Sequence, residues 1–171
     1  MGALNATLLL VGVCRAGDPE LALVRERLTD DPEEAGRYFG AAFASGDFNG
    51  DGFGDGAAAG ESQRISVFPG SPFGPRPGTR EMIDLQDSRY AAGFGVTLAA
   101  PDFDGDGYDD LVSSAQRATV TYRGGPGGVS ASSEQVVEPL DANAQTSVTW
   151  GFYLANAGDL DGDGFEDVLV G

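Results

Sequence analysis

Apolar residues along this chain gather in short runs broken by glycine, aspartate and proline, and no helical period is sustained for long. The runs "AAFAS", "DGAAAG", "RISVFPG" and "REMIDLQ" follow one another, then "GVTLAA", "DLVSSA", "ATVTYRG" and "EQVVEPL". Each has the length and turn-residue borders of a short strand. "FYLANA" and "DVLVG" close the chain in the same style, and "ATLLLVG" with "ELALVRERL" opens it. The pattern predicts an all-β chain.

The runs repeat with a period near 56 residues. Aromatic-glycine pairs stand at Phe39-Gly40, Phe94-Gly95 and Trp150-Gly151. An acidic loop follows each pair: "DFNGDGFGD" at 47–55, "DFDGDGYDD" at 102–110 and "DLDGDGFED" at 159–167. The third copy has one extra residue between pair and loop, which a β-bulge would absorb. A complete unit reads as four antiparallel strands, with the acidic loop joining the first to the second. The order is strands three and four of a unit (1–36), two whole units (37–91 and 92–148), then strands one and two of another (149–171). "TDDPEEAGRYFG" suggests a capped helical turn in a link between units, and the proline-rich 69–78 a hairpin loop. Trp150 takes the aromatic position of its repeat, which predicts a core role. Residues 1–14 have a second reading as a secretion signal, although no Lys or Arg precedes the apolar run.

The loops carry the chemistry. Positions 1, 3, 5 and 9 are acid or amide in all three: Asp47, Asn49, Asp51 and Asp55; Asp102, Asp104, Asp106 and Asp110; Asp159, Asp161, Asp163 and Asp167. Alternate residues of a curling backbone converge, so this spacing aims oxygens at one point. The carbonyls of Phe53, Tyr108 and Phe165 at position 7 can add a further oxygen, the ring packing into the sheet, and glycine at position 6 permits the sharp turn. An all-oxygen shell of variable geometry suits Ca²⁺ better than Mg²⁺, and three Ca²⁺ sites are expected. Position 12 holds Ala58, Ser113 and Val170 where an EF-hand needs glutamate, so these are not EF-hands.

Charge supports a local reading of the acidity. The net charge is −17, yet 13 of the 27 acids lie in the three loops, and the rest of the chain sums to −4. No basic stripe exists to neutralise phosphates, which argues against nucleic acid. The apolar runs are too short to span a membrane as a helix. The absence of His removes the commonest general base and zinc ligand. The single cysteine, Cys14, cannot form an internal disulfide and reads as a buried or idle thiol.

The aromatic-glycine pairs and acidic loops together resemble FG-GAP repeats, the blades of integrin-α-type β-propellers found also in many bacterial surface proteins. The resemblance covers essentially the whole chain and implies four-stranded blades with Ca²⁺ in the loop between strands one and two. It implies an extracellular, bacterial-type member, acting outside the cytoplasm or at the cell surface. The segment that normally completes the motif is degenerate here, reading "GAAAG" and "SSAQ". About three blades is also fewer than the four to eight that usually close a propeller. A partial propeller within a longer chain, or one completed by a second copy, is the expectation. Three functions follow. The first is a non-enzymatic, Ca²⁺-binding recognition or adhesion module for a protein or glycan. The second is a structural scaffold segment. The third is a hydrolase using carboxylate pairs such as Asp109-Asp110 or Glu33-Glu34.

Overall fold

The computed structural model describes residues 11–13, 22–24, 40–60, 63–76, 79, 81–140 and 150–171. Residues 1–10 and Cys14 of the possible signal, Phe39 and the predicted turn at 29–40, apart from Gly40, lie outside the described residues. The first two strands, β1 (Val11–Val13) and β2 (Ala22–Val24), form an antiparallel pair. A four-stranded sheet follows in chain order: β3 (Ala42–Gly46), β4 (Asp55–Ala59), β5 (Arg64–Phe68) and β6 (Glu81–Asp84). The second four-stranded sheet comprises β7 (Leu98–Ala99), β8 (Leu111–Ala115), β9 (Ala118–Tyr122) and β10 (Gln135–Val137). A last pair joins β11 (Leu154–Gly158) to β12 (Asp167–Val170).

Every pairing is between sequence neighbours and antiparallel, the meander of a propeller blade. Helix is confined to two short 3₁₀ turns among the described residues. The extra residue of the third copy shows as a register shift between Asn156 and Gly158 in β11. Trp150, expected in the core, is only half-buried; its carbonyl accepts the Arg117 N–H at 3.1 Å.

The middle strands explain why alternation is weak in this sequence. All five residues of β8 are buried, as are four of five in β4, since both faces of these sheets are covered. One core runs through both sheets, with Phe48, Ile65, Ile83, Phe94, Leu111 and Tyr122 among its members. Small side chains at Ala57, Ala58, Ala59, Ser113 and Ser114 let neighbouring sheets approach. β7 packs against β3 on one side and β11 on the other, so the first strands of successive units lie side by side. The Asn156 amide joins the second and third units, accepting the Ala100 N–H at 3.0 Å and donating to its carbonyl at 2.8 Å.

Close approach within a unit and between units also fixes residue size. A Cβ on Gly124 would stand 2.2 Å from the Asp109 carbonyl oxygen and 3.0 Å from that of Phe48, both backbone atoms unable to swing aside. Gly124→Ala is therefore expected to cost about 1–3 kcal/mol through overpacking. Gly125→Ala, whose Cβ meets nothing within 4 Å, is the control. Equal melting temperatures for the two variants would contradict this account of the packing at Gly124.

Candidate metal centre

Each acidic loop connects the first strand of its unit to the second: β3 to β4, β7 to β8, and β11 to β12. Their backbones are wound around the position-1 aspartate by one hydrogen-bond scheme. Asp47 accepts the Asp51 N–H on Oδ1 at 3.0 Å and the Gly52 N–H on Oδ2 at 2.9 Å. Asp102 Oδ1 accepts from Gly105 and Asp106, and its Oδ2 from Gly107. Asp159 does the same with Gly162, Asp163 and Gly164. Positions 3 and 5 each accept the N–H two residues on: Asn49 from Asp51, Asp51 from Phe53, Asp104 from Asp106, Asp106 from Tyr108, Asp161 from Asp163, and Asp163 from Phe165. Local side-chain bonds of this kind favour a tight turn over continued strand.

The structure brings the carboxylates of Asp102, Asp104 and Asp106 together, with ligand atoms within 4.8 Å of one another. Asp159, Asp161 and Asp167 converge equally closely. In the first loop Asn49 stands where the others have aspartate, and among the described residues no trio of acids there reaches that spacing.

Position 9 also holds backbone N–H groups. Asp55 and Asp110 are buried, and each binds two backbone N–H groups: Phe48 and Gly70 for Asp55, Phe103 and Gly124 for Asp110. Each carboxylate thus ties its own loop to the glycine that follows the third strand. Asp167, half-buried, accepts from Leu160 at 2.8 Å. Burial pushes Asp110 up to about 6, against the opposing effect of the Gly124 and Phe103 N–H bonds. Asp55 is raised by burial too, with the Asp51 and Asp47 charges adding to the effect after the Gly70 bond opposes it.

The position-7 rings differ from expectation. Phe53 and Phe165 are exposed and Tyr108 is half-buried; the Tyr108 and Phe165 rings lie on the loop of the preceding unit, not within their own sheet. The ring buried beneath the first loop is Phe48 at position 2.

Sequence reasoning did not reach two arginines. Arg76 Nη2 donates to Asp51 Oδ2 at 2.8 Å, and Arg123 Nη1 pairs with Asp104 Oδ2 while its guanidinium lies 5.1 Å from the Phe103 ring centre. Arg123 follows the third strand directly, and that recurring "RG" or "PG" ending was the available signal. In the Asp109-Asp110 pair, Asp109 Oδ2 accepts the Asp47 N–H, and both Asp110 oxygens accept backbone N–H groups.

The donor set is all oxygen, with no nitrogen or sulfur ligand, and it offers clustered carboxylates on a preformed turn. These residues fit a hard divalent cation.

Blades of four antiparallel strands, each with an acidic loop after its first strand, define a β-propeller repeat protein. The FG-GAP-like repeat family matches residues 102–170. Integrin alpha-4 of Xenopus laevis is 31% identical over 153 residues, 81% of this chain. Integrin alpha-5 of Xenopus laevis is 27% identical over 157 residues, and integrin alpha-IIb of Mus musculus 30% over 160, again across 81% of this chain. The chain belongs to the FG-GAP repeat family of the integrin-α type. It spans 15% of the length of each of these relatives.

Proposed function

We propose that this chain is a Ca²⁺-binding, non-enzymatic recognition module that acts outside the cytoplasm. The observation that carries the reading is the convergence of Asp102, Asp104 and Asp106 on a turn whose fourth acid, Asp110, is buried in the blade. In the first loop Asp47, Asn49, Asp51, Asp55 and the Phe53 carbonyl would hold the ion. Asp102, Asp104, Asp106, Asp110 and the Tyr108 carbonyl would do so in the second, and Asp159, Asp161, Asp163, Asp167 and the Phe165 carbonyl in the third. When bound, the cation supplies the positive charge that offsets carboxylate repulsion. The chain's own residues shape the turn, and the blades present its outer loops to a protein or glycan.

Extracellular modules of this type work at Ca²⁺ affinities of about 10⁻⁴ to 10⁻³ M, a concentration range found outside the cytoplasm or at the cell surface. No helix among the described residues is long and apolar enough to cross a membrane. The units 37–91 and 92–148 act as complete blades, and 1–36 and 149–171 as parts of others, within a longer propeller or one shared with a second copy. Calorimetric titration of EGTA-treated, dialysed protein should give a stoichiometry near three Ca²⁺. A glycan and protein binding screen with and without Ca²⁺ should then show Ca²⁺-dependent capture. Ca²⁺ binding without any capture would favour the scaffold role.

The arginines give this reading a second handle. A guanidinium on Asp104 Oδ2 competes with a cation for the same oxygen. Arg123→Gln should tighten binding at the second loop about threefold, as expected for removing a partly exposed like charge. Unchanged or weaker affinity in that variant would show that Arg123 organises the loop instead.

A further inference from the structure

Neighbouring acidic loops touch each other directly. Asp109, at position 8 of the second loop, accepts the Asp47 N–H on Oδ2 at 2.6 Å and donates its own N–H to the Asp47 carbonyl at 3.1 Å. Asp47 is the residue around which the first loop is wound. Gly46 admits this approach, since a Cβ there would stand 2.6 Å from Asp109 Oδ2. One residue earlier, the Tyr108 ring covers Gly50 of the first loop, its Cε1 2.6 Å from where a Cβ would be. The arrangement recurs one unit later. Glu166 donates its N–H to the Asp102 carbonyl at 3.2 Å, and Phe165 Cε1 lies 2.9 Å from the Cβ position of Gly105. There Pro101, fully buried, stands in the place of Gly46, and the exposed Glu166 joins Asp102 through its backbone alone.

We propose that the acidic loops are coupled in series, each bracing the first residue of the loop before it, so that cations bind with positive cooperativity. This rests on the Ca²⁺ reading above. Asp109 lies between Tyr108 and Asp110, both assigned to the second loop's oxygen set, so ordering that loop fixes Asp109 from either side. A fixed Asp109 holds both the N–H and the carbonyl of Asp47, the anchor of the first loop. The ordering cost of the first loop is thereby met in part before its cation arrives, and by linkage the coupling is reciprocal. Asp109 makes two polar bonds across its interface and Glu166 one, so the first and second loops are coupled more strongly than the second and third.

The test is a Ca²⁺ titration of the full chain followed by ¹⁵N–¹H NMR. The N–H groups of Gly52, Gly107 and Gly164 each bond the position-1 aspartate of their own loop and report on it separately. Asp109→Ala should raise the Gly52 midpoint about fivefold or more while leaving that of Gly164 in place. Asp109→Asn keeps an acceptor oxygen and loses the charge, and should restore the Gly52 midpoint to within about twofold of the original. Asp106→Ala disables the second loop with Asp109 intact and should raise the Gly52 midpoint as well, which covers the case of an unfolded Asp109→Ala. A Gly52 midpoint unmoved by Asp106→Ala, and by Asp109→Ala if that variant folds, overturns the coupling and leaves the Ca²⁺ reading standing. No Ca²⁺-dependent shift at any of the three glycines in the unmodified chain overturns both.

Discussion

Adding excess EGTA to the Ca²⁺-loaded protein should lower its melting temperature by roughly 10 °C. At tenfold excess over Kd, each occupied site adds about 1.4 kcal/mol to the folded state, or roughly 4 kcal/mol for three sites before any coupling between them is added. For a chain of this size each kcal/mol moves the midpoint by about 2–4 °C. The stabilisation has a structural route. Acidic loops join the first two strands in both four-stranded sheets and in the β11–β12 pair, and Asp55 and Asp110 tie them to the third strand of their sheets. Loosening a loop therefore loosens three strands. Mg²⁺ at equal concentration should recover less than half of the loss, because it demands a stricter octahedron and gives up water reluctantly. A melting temperature unchanged by EGTA would remove the cation from any account of this fold.

The repeat was legible because glycine and aspartate cannot be mistaken for core. Four-strand units followed from their spacing, and the single extra residue before the third loop appears as the register shift between Asn156 and Gly158. In the second and third loops the position-1 and position-3 carboxylates lie close together, in keeping with alternate side chains of a curled turn facing one way. What the sequence hid was everything between units. A lone chain pattern shows which side chains share a face, but not which backbone a neighbouring blade presents to it. In the sequence Asp109 is half of an acidic pair, whereas in the fold Gly46 opens space for its carboxylate to reach the Asp47 N–H. Nor does the pattern show that Gly50 and Gly105 leave room for the Tyr108 and Phe165 rings on the loop before, so it places the position-7 rings in their own sheet. Arg76 comes from the proline-rich segment, where no periodicity places a side chain, yet it reaches Asp51.

The same residue type at the same loop position should give two quite different losses, because burial differs. Asp110 is 1% exposed and holds the N–H groups of Phe103 and Gly124; Asp167 is half-buried and holds that of Leu160. In saturating Ca²⁺, Asp110→Ala orphans two N–H groups and removes a proposed ligand, a loss of about 3–4 kcal/mol. Asp167→Ala also removes a proposed ligand but orphans only one N–H, in a half-buried setting, and should cost about 1–2 kcal/mol. In EGTA the Asp110→Ala cost should shrink as pH rises, because of how that carboxyl titrates. Burial raises Asp110 to about 6 in the fold from an ordinary 3.8, so its protonated form is the one the fold favours. The stabilisation it contributes is full below pH 3.8 and is lost as pH rises through about 6. Above that pH the ionised group is disfavoured chiefly by burial, with the Asp106 and Asp102 charges adding to it against the two N–H bonds, and a cation would offset that repulsion. Thermal melts of the unmodified chain and Asp110→Ala in EGTA should therefore converge between pH 4 and about 6 and separate again when Ca²⁺ is restored at pH 7.5. Curves that stay parallel across that range would mean that Asp110 holds its two N–H groups equally well with or without charge, and that its position in the blade serves the backbone alone.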